Sequence, residues 1–144
     1  MKKNSKSITS FMLSSIGYLT SLTTEQLGDE SRDSLSVLSI FLSDSVNDNA
    51  QDFIDWVYGL KWKGEADTEE YASIGTNTTY LEREGEVITL MNEWDDYMNP
   101  SCKLTISRTE FAELLKQWRE LYKQQPKEIV LTVENGKYTL EGRN

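Results

Sequence analysis

Two sets of carboxylates stand close enough along the chain to act together. Glu82, Glu84 and Glu86 alternate in one short stretch, and Glu93, Asp95 and Asp96 crowd another. Paired carboxylates can serve as general acid and base or hold a divalent cation, and alternate residues on a strand share a face. A glutamate-rich strand face equally serves solubility alone. The rest of the catalytic vocabulary is missing. The chain contains no histidine, which removes His-based triads, Cys–His dyads, His-containing zinc sites and the commonest proton shuttle at neutral pH. Cys102 is the only cysteine, so a thiolate metal cage and an intramolecular disulfide are both excluded. A lone thiol fits a reducing compartment, and one beside a strand reads as structural. No Gly-x-Gly-x-x-Gly, Walker loop or Gly-x-Ser-x-Gly elbow is present. The run from Asp44 through Asn47, Asp48 and Asp52 has the acids of a calcium loop but lacks its turn glycine and closing glutamate. The expectation is a protein that is not an enzyme, with no catalytic, cofactor-binding or metal residues.

The position of the charge is more informative than its amount. Residues 1–63 hold eight acids and six bases, and residues 101–144 hold six acids and eight bases, so these parts cancel. Residues 64–100 hold ten acids against the single base Arg83, which accounts for the whole formal charge of −9. A local negative field of this kind attracts cationic partners. Nucleic acid is excluded as a direct ligand because phosphate binding needs a positive patch.

Within that quarter, the segment Glu93-Trp94-Asp95-Asp96-Tyr97 joins three carboxylates to two large aromatics. It pairs steering charge with rigid anchors of the sort that dominate interface energetics; the alternative is that Trp94 and Tyr97 cover a sheet edge. Glu65, Asp67, Glu69 and Glu70 form a second acidic candidate, and Glu82 and Glu84 a third. Lys116, Arg119 and Lys123 read as the solvated side of a helix.

The elements that position these residues follow from periodicity. Ile8, Phe11, Met12, Ile16 and Leu19 fall at helical spacing, as do Leu35, Leu38, Phe41 and Leu42, and both runs predict amphipathic helices. A third helix is expected from about Asp48 to Leu60, capped by Asn47 or Asp48, with Trp56, Tyr58 and Trp62 closing a core near its end. After Gly64 the pattern alternates. Residues 78–84 and 86–91 predict two strands, and Lys103 to Ile106 a third. Ser107-Arg-Thr-Glu110 is a capping box opening a helix whose stripe is Phe111, Leu114, Leu115, Trp118 and Leu121, stopped by Pro126. Residues 128–134 and 137–141 flank Asn135-Gly136, a hairpin turn signal. The expected fold is α+β: N-terminal helices, then an antiparallel or mixed sheet, with one helix between the third strand and a C-terminal hairpin. A single domain over residues 1–144 is expected, since no linker or repeat interrupts the series. Serines and threonines between Ser7 and Ser21 break any export-signal core, and no apolar run approaches the roughly 20 residues of a membrane span. A soluble, cytoplasmic protein with no membrane partner is the expectation.

The strand ending Lys103-Leu-Thr-Ile, the helix Ser107-Arg-Thr-Glu-Phe-Ala-Glu-Leu-Leu-Lys-Gln-Trp and the segment Pro126-Lys-Glu-Ile-Val-Leu-Thr-Val-Glu-Asn-Gly-Lys-Tyr-Thr-Leu together resemble small immunity proteins of bacterial contact-dependent growth inhibition and related polymorphic toxin systems. The likeness is one of architecture over about 45 residues, and no binding residue carries over from it. It implies a small cytoplasmic protein that binds the C-terminal domain of a toxin, often a basic nuclease, and blocks its active site or substrate groove. The acidic quarter suits that role independently. The leading expectation is therefore an immunity protein that neutralises a basic toxin through Glu65, Asp67, Glu69, Glu70, Glu82, Glu84, Glu93, Trp94, Asp95, Asp96 and Tyr97. A nucleic-acid mimic that inhibits a host DNA-binding protein is a second reading, and a carboxylate-dependent hydrolase a third.

Overall fold

The computed structural model describes residues 6–26, 37–59, 71–76, 79–92, 103–134 and 137–144. The chain begins with strands. Lys6–Ser14 (β1) and Gly17–Gln26 (β2) form an antiparallel hairpin, which overturns the helix expected over residues 8–19. Thr9, Ser10, Ser14 and Ser15 in this stretch are weak helix formers, and Gly17 sits at φ 125°, a value a helix interior never uses. Ser14 Oγ donates to the Gly17 carbonyl at 2.7 Å and accepts from the Ile16 amide at 3.2 Å, closing the turn.

The helical part follows. Helix α1 is described from residue 37, where residues 37–40 run into a wider π-helical stretch, Phe41–Val46. A 3-10 turn, Asn47–Asn49, leads into α2, Ala50–Val57. The cap expected from Asn47 or Asp48 is not formed: Asn49 is the N-cap residue of α2 and makes no side-chain capping bond. Asn47 serves another purpose. Its Oδ1 accepts from the Tyr18 amide at 2.9 Å, its Nδ2 donates to the Ser43 carbonyl, and its own carbonyl accepts from Trp118 Nε1 at 2.9 Å. One side chain and its backbone thus tie the first hairpin, α1 and a distant helix together.

The strands Tyr71–Gly75 (β3), Thr79–Glu84 (β4), Val87–Asn92 (β5) and Lys103–Ser107 (β6) come next, then α3, Arg108–Gln124, and the hairpin Glu128–Glu134 (β7) and Lys137–Arg143 (β8). The expected strands at 78–84, 86–91 and 103–106 and the final hairpin are present, whereas β3 was not foreseen. At the start of α3, Ser107 Oγ accepts from the Glu110 amide at 3.1 Å, the hydroxyl half of the expected box. At its end Gln125 adopts a left-handed conformation ahead of Pro126.

These eight strands make two antiparallel sheets, in the orders β2-β1-β7-β8 and β3-β4-β5-β6. The fold is α+β, but the expected single sheet is divided, because the C-terminal hairpin pairs with β1 rather than with its sequence neighbours β4 to β6. That partnership depends on a match between residues more than a hundred positions apart, such as Phe11 with Ile129. Helix α3 packs on α2 and contacts strands of both sheets. Side chains from both sheets and all three helices form one buried cluster. Trp118 is fully buried there, edge-on to Phe11 at 5.1 Å and to Tyr18 at 5.9 Å between ring centroids. Burial of such a side chain stabilises the fold by about 1.5–3 kcal/mol.

On each edge strand of the first sheet, one backbone amide is taken by a side-chain amide. On β2 the Tyr18 amide is held by Asn47, and on β8 the Leu140 amide donates to Gln117 Oε1 at 3.1 Å. Among the described residues, no helix is long and apolar enough to cross a membrane.

Candidate partner-binding face

The second sheet carries the described part of the acidic quarter. Along β4 the burial alternates: Thr79, Leu81 and Arg83 point inward and are buried, while Tyr80 and Glu82 are half-buried and Glu84 is exposed. The strand period of two puts Tyr80, Glu82 and Glu84 on the outer face, and the register fixes their neighbours. Glu82 stands opposite Ser73 on β3 and Thr89 on β5, and Thr89 stands opposite Thr105 on β6. Glu84 stands opposite Tyr71 and Val87, and Val87 opposite Ser107. The outer face is therefore a carboxylate row set among hydroxyls, with the exposed Val87 beside Glu84 and Lys103 opposite Met91 at the far end. As the sequence implies, Val87 and Thr89 face out, and Ile88 and Leu90 are buried on the inner side.

The turn between β4 and β5 extends the row. Gly85 takes φ 58°, a conformation glycine adopts without a Cβ penalty, and Glu86 beside it is exposed. Among the described residues, no ion pair engages Glu84 or Glu86. Glu86, grouped with Glu82 and Glu84 by its spacing in the sequence, lies in the turn at the Glu84 end of the row.

Arg83 points the other way. It is 1 % exposed. Its Nη1 donates to the Trp56 carbonyl in the last turn of α2, and its guanidinium carbon lies 5.3 Å from the centroid of the Trp56 ring. Arg108 Nε donates to the next carbonyl, Val57, at 2.6 Å. Helix α2 has no basic residue of its own in its last turn, so two arginines from the sheet and from α3 meet the negative end of its dipole. Among the described residues, the buried indole nitrogen of Trp56 has no hydrogen-bond partner.

Three bases on α3 have acidic neighbours on the same helix. Lys116 lies 3.6 Å from Glu113, Arg119 lies 2.8 Å from Glu120, and Lys123 lies 3.4 Å from Glu120. Arg119 also donates to Gln51 Oε1 at 2.7 Å, linking α3 to α2. Glu120 is held below the usual carboxylate range by its hydrogen bond to Arg119, helped by Lys123. Lys116 is raised by its contact with the Tyr58 side chain, whose ring centroid is 5.2 Å from the ammonium. Tyr58 is exposed, so of the aromatics expected to close a core near the end of α2, Trp56 does so and Tyr58 does not.

Of the residues singled out in the sequence, Glu82 and Glu84 are brought together on one face. Glu65, Asp67, Glu69, Glu70, Glu93, Trp94, Asp95, Asp96 and Tyr97 lie outside the described residues, as does Trp62. The strands to which those segments attach are described. Tyr71, where β3 begins, pairs with Glu84, whereas Asn92, where β5 ends, pairs with Thr79 at the opposite end of β4. The two acidic segments thus join the sheet at ends separated by roughly 17 Å of strand, with Glu84 at one of those ends and Glu82 between them. Among the described residues, no group of three or more His, Cys, Asp or Glu side chains is placed to hold a metal ion. No protein-family model matches the chain, and no curated protein or solved structure matches it either.

Proposed function

We propose that the chain is an immunity protein that binds and neutralises a basic toxin domain, in its leading form a nuclease, and performs no chemistry of its own. The docking surface is the outer face of the β3–β6 sheet together with the acidic segments attached to its two ends. One observation carries the reading: the only base among residues 64–100, Arg83, is turned into the core and engaged with α2, while Glu82 and Glu84 face outward. The face keeps its negative field where a cationic partner would meet it. A nuclease must present a positive surface to its substrate, and carboxylates in place of phosphates occupy that surface. The same reading places the protein in the cytoplasm, where an incoming toxin acts.

The test begins with the neighbouring upstream gene, which for an immunity protein encodes a large secreted toxin. The toxin's C-terminal domain is purified and mixed with this protein by stopped flow at low and high salt. Association that slows steeply as salt rises supports the proposal, because the Debye length shortens from about 30 Å at 0.01 M to about 3 Å at 1 M. A salt-independent rate, or no complex, counts against it. Binding of several unrelated DNA-binding proteins with similar affinity would instead favour a nucleic-acid mimic.

A further inference from the structure

We draw no further inference here: the strongest candidate, the exposed apolar side chains Met12, Leu13, Ile16 and Leu19 at the tip of the β1–β2 hairpin, carries nothing because nothing in the structure shows what covers them.

Discussion

Replacing Asn47 tests the junction on which the first hairpin, α1 and α3 converge. In Asn47→Ala two side-chain hydrogen bonds disappear, those with the Tyr18 amide and the Ser43 carbonyl. Each is worth about 1 kcal/mol net, and because Tyr18 is fully buried its amide is left without a partner, which adds about 1–2 kcal/mol. The expected loss is about 2–4 kcal/mol, a large fraction of the roughly 5–15 kcal/mol that holds a typical domain together. Backbone conformation gives the experiment a second arm. Asn47 sits at φ 36° and ψ −106°, a positive-φ conformation that glycine, lacking a Cβ, adopts more readily than other residues. Asn47→Gly loses the same two bonds but carries no Cβ at this positive φ, so it is expected to be no less stable than Asn47→Ala. Asn47→Asp keeps an acceptor for Tyr18 but turns an oxygen toward the Ser43 carbonyl, and falls between wild type and Asn47→Ala. Urea unfolding followed by tryptophan fluorescence reads all three, since Trp56 and Trp118 are fully buried. A loss below about 1 kcal/mol for alanine, or a glycine variant less stable than the alanine one, would refute the reasoning.

Three further outcomes are expected. Ser107→Ala removes the acceptor for the Glu110 amide and costs about 1 kcal/mol in urea unfolding, whereas Ser107→Asp, which keeps an acceptor, costs less. The Tyr18 phenol donates to the Pro126 carbonyl, and burial, then the neighbouring Tyr122, raises its pKa above 10.0. The folded state therefore holds this proton more tightly than the unfolded state. Its contribution is full below pH 10 and is lost as pH rises through the folded value. Tyr18→Phe should lose about 0.5–1.5 kcal/mol at neutral pH and show a shallower decline in urea midpoint on the alkaline side. Glu84→Lys combined with Glu86→Lys should leave stability within about 0.5 kcal/mol, because both residues are exposed. If the proposed toxin domain is the partner, the same pair should slow association with it about tenfold at low salt, with the difference vanishing at high salt.

The C-terminal part of the fold was legible because its signals are local. A serine three residues before a glutamate opens α3, an apolar stripe at helical spacing builds it, Pro126 follows its end, and a turn dipeptide separates β7 from β8. The N-terminal part was misread for a reason also visible in the residues. Ile8, Phe11, Met12, Ile16 and Leu19 fit a helical face by position, but the serines and threonines between them and Gly17 within the run favour a hairpin. In that hairpin Phe11 and Tyr18 point inward, while Met12, Ile16 and Leu19 stay exposed. Strand β3 was hidden because the chain pattern shows only two large apolar positions there, Tyr71 and Ile74, after a run of acids. The division into two sheets was not legible at all, since the β1–β7 pairing joins the two ends of the chain. In the candidate face, alternation sufficed to place Glu82 and Glu84 together. It did not reveal that Arg83, between them, serves the end of α2, because that role depends on the Trp56 carbonyl 27 residues earlier.

The amides of Asn47 and Gln117 have a consequence for how this protein meets others. Strand edges invite foreign backbone, because their outward amides and carbonyls offer a ready template. At Tyr18 and at Leu140 the inviting hydrogen is already claimed from within the chain. A newcomer pairing at either of these two points would have to displace a tethered side chain to form that rung.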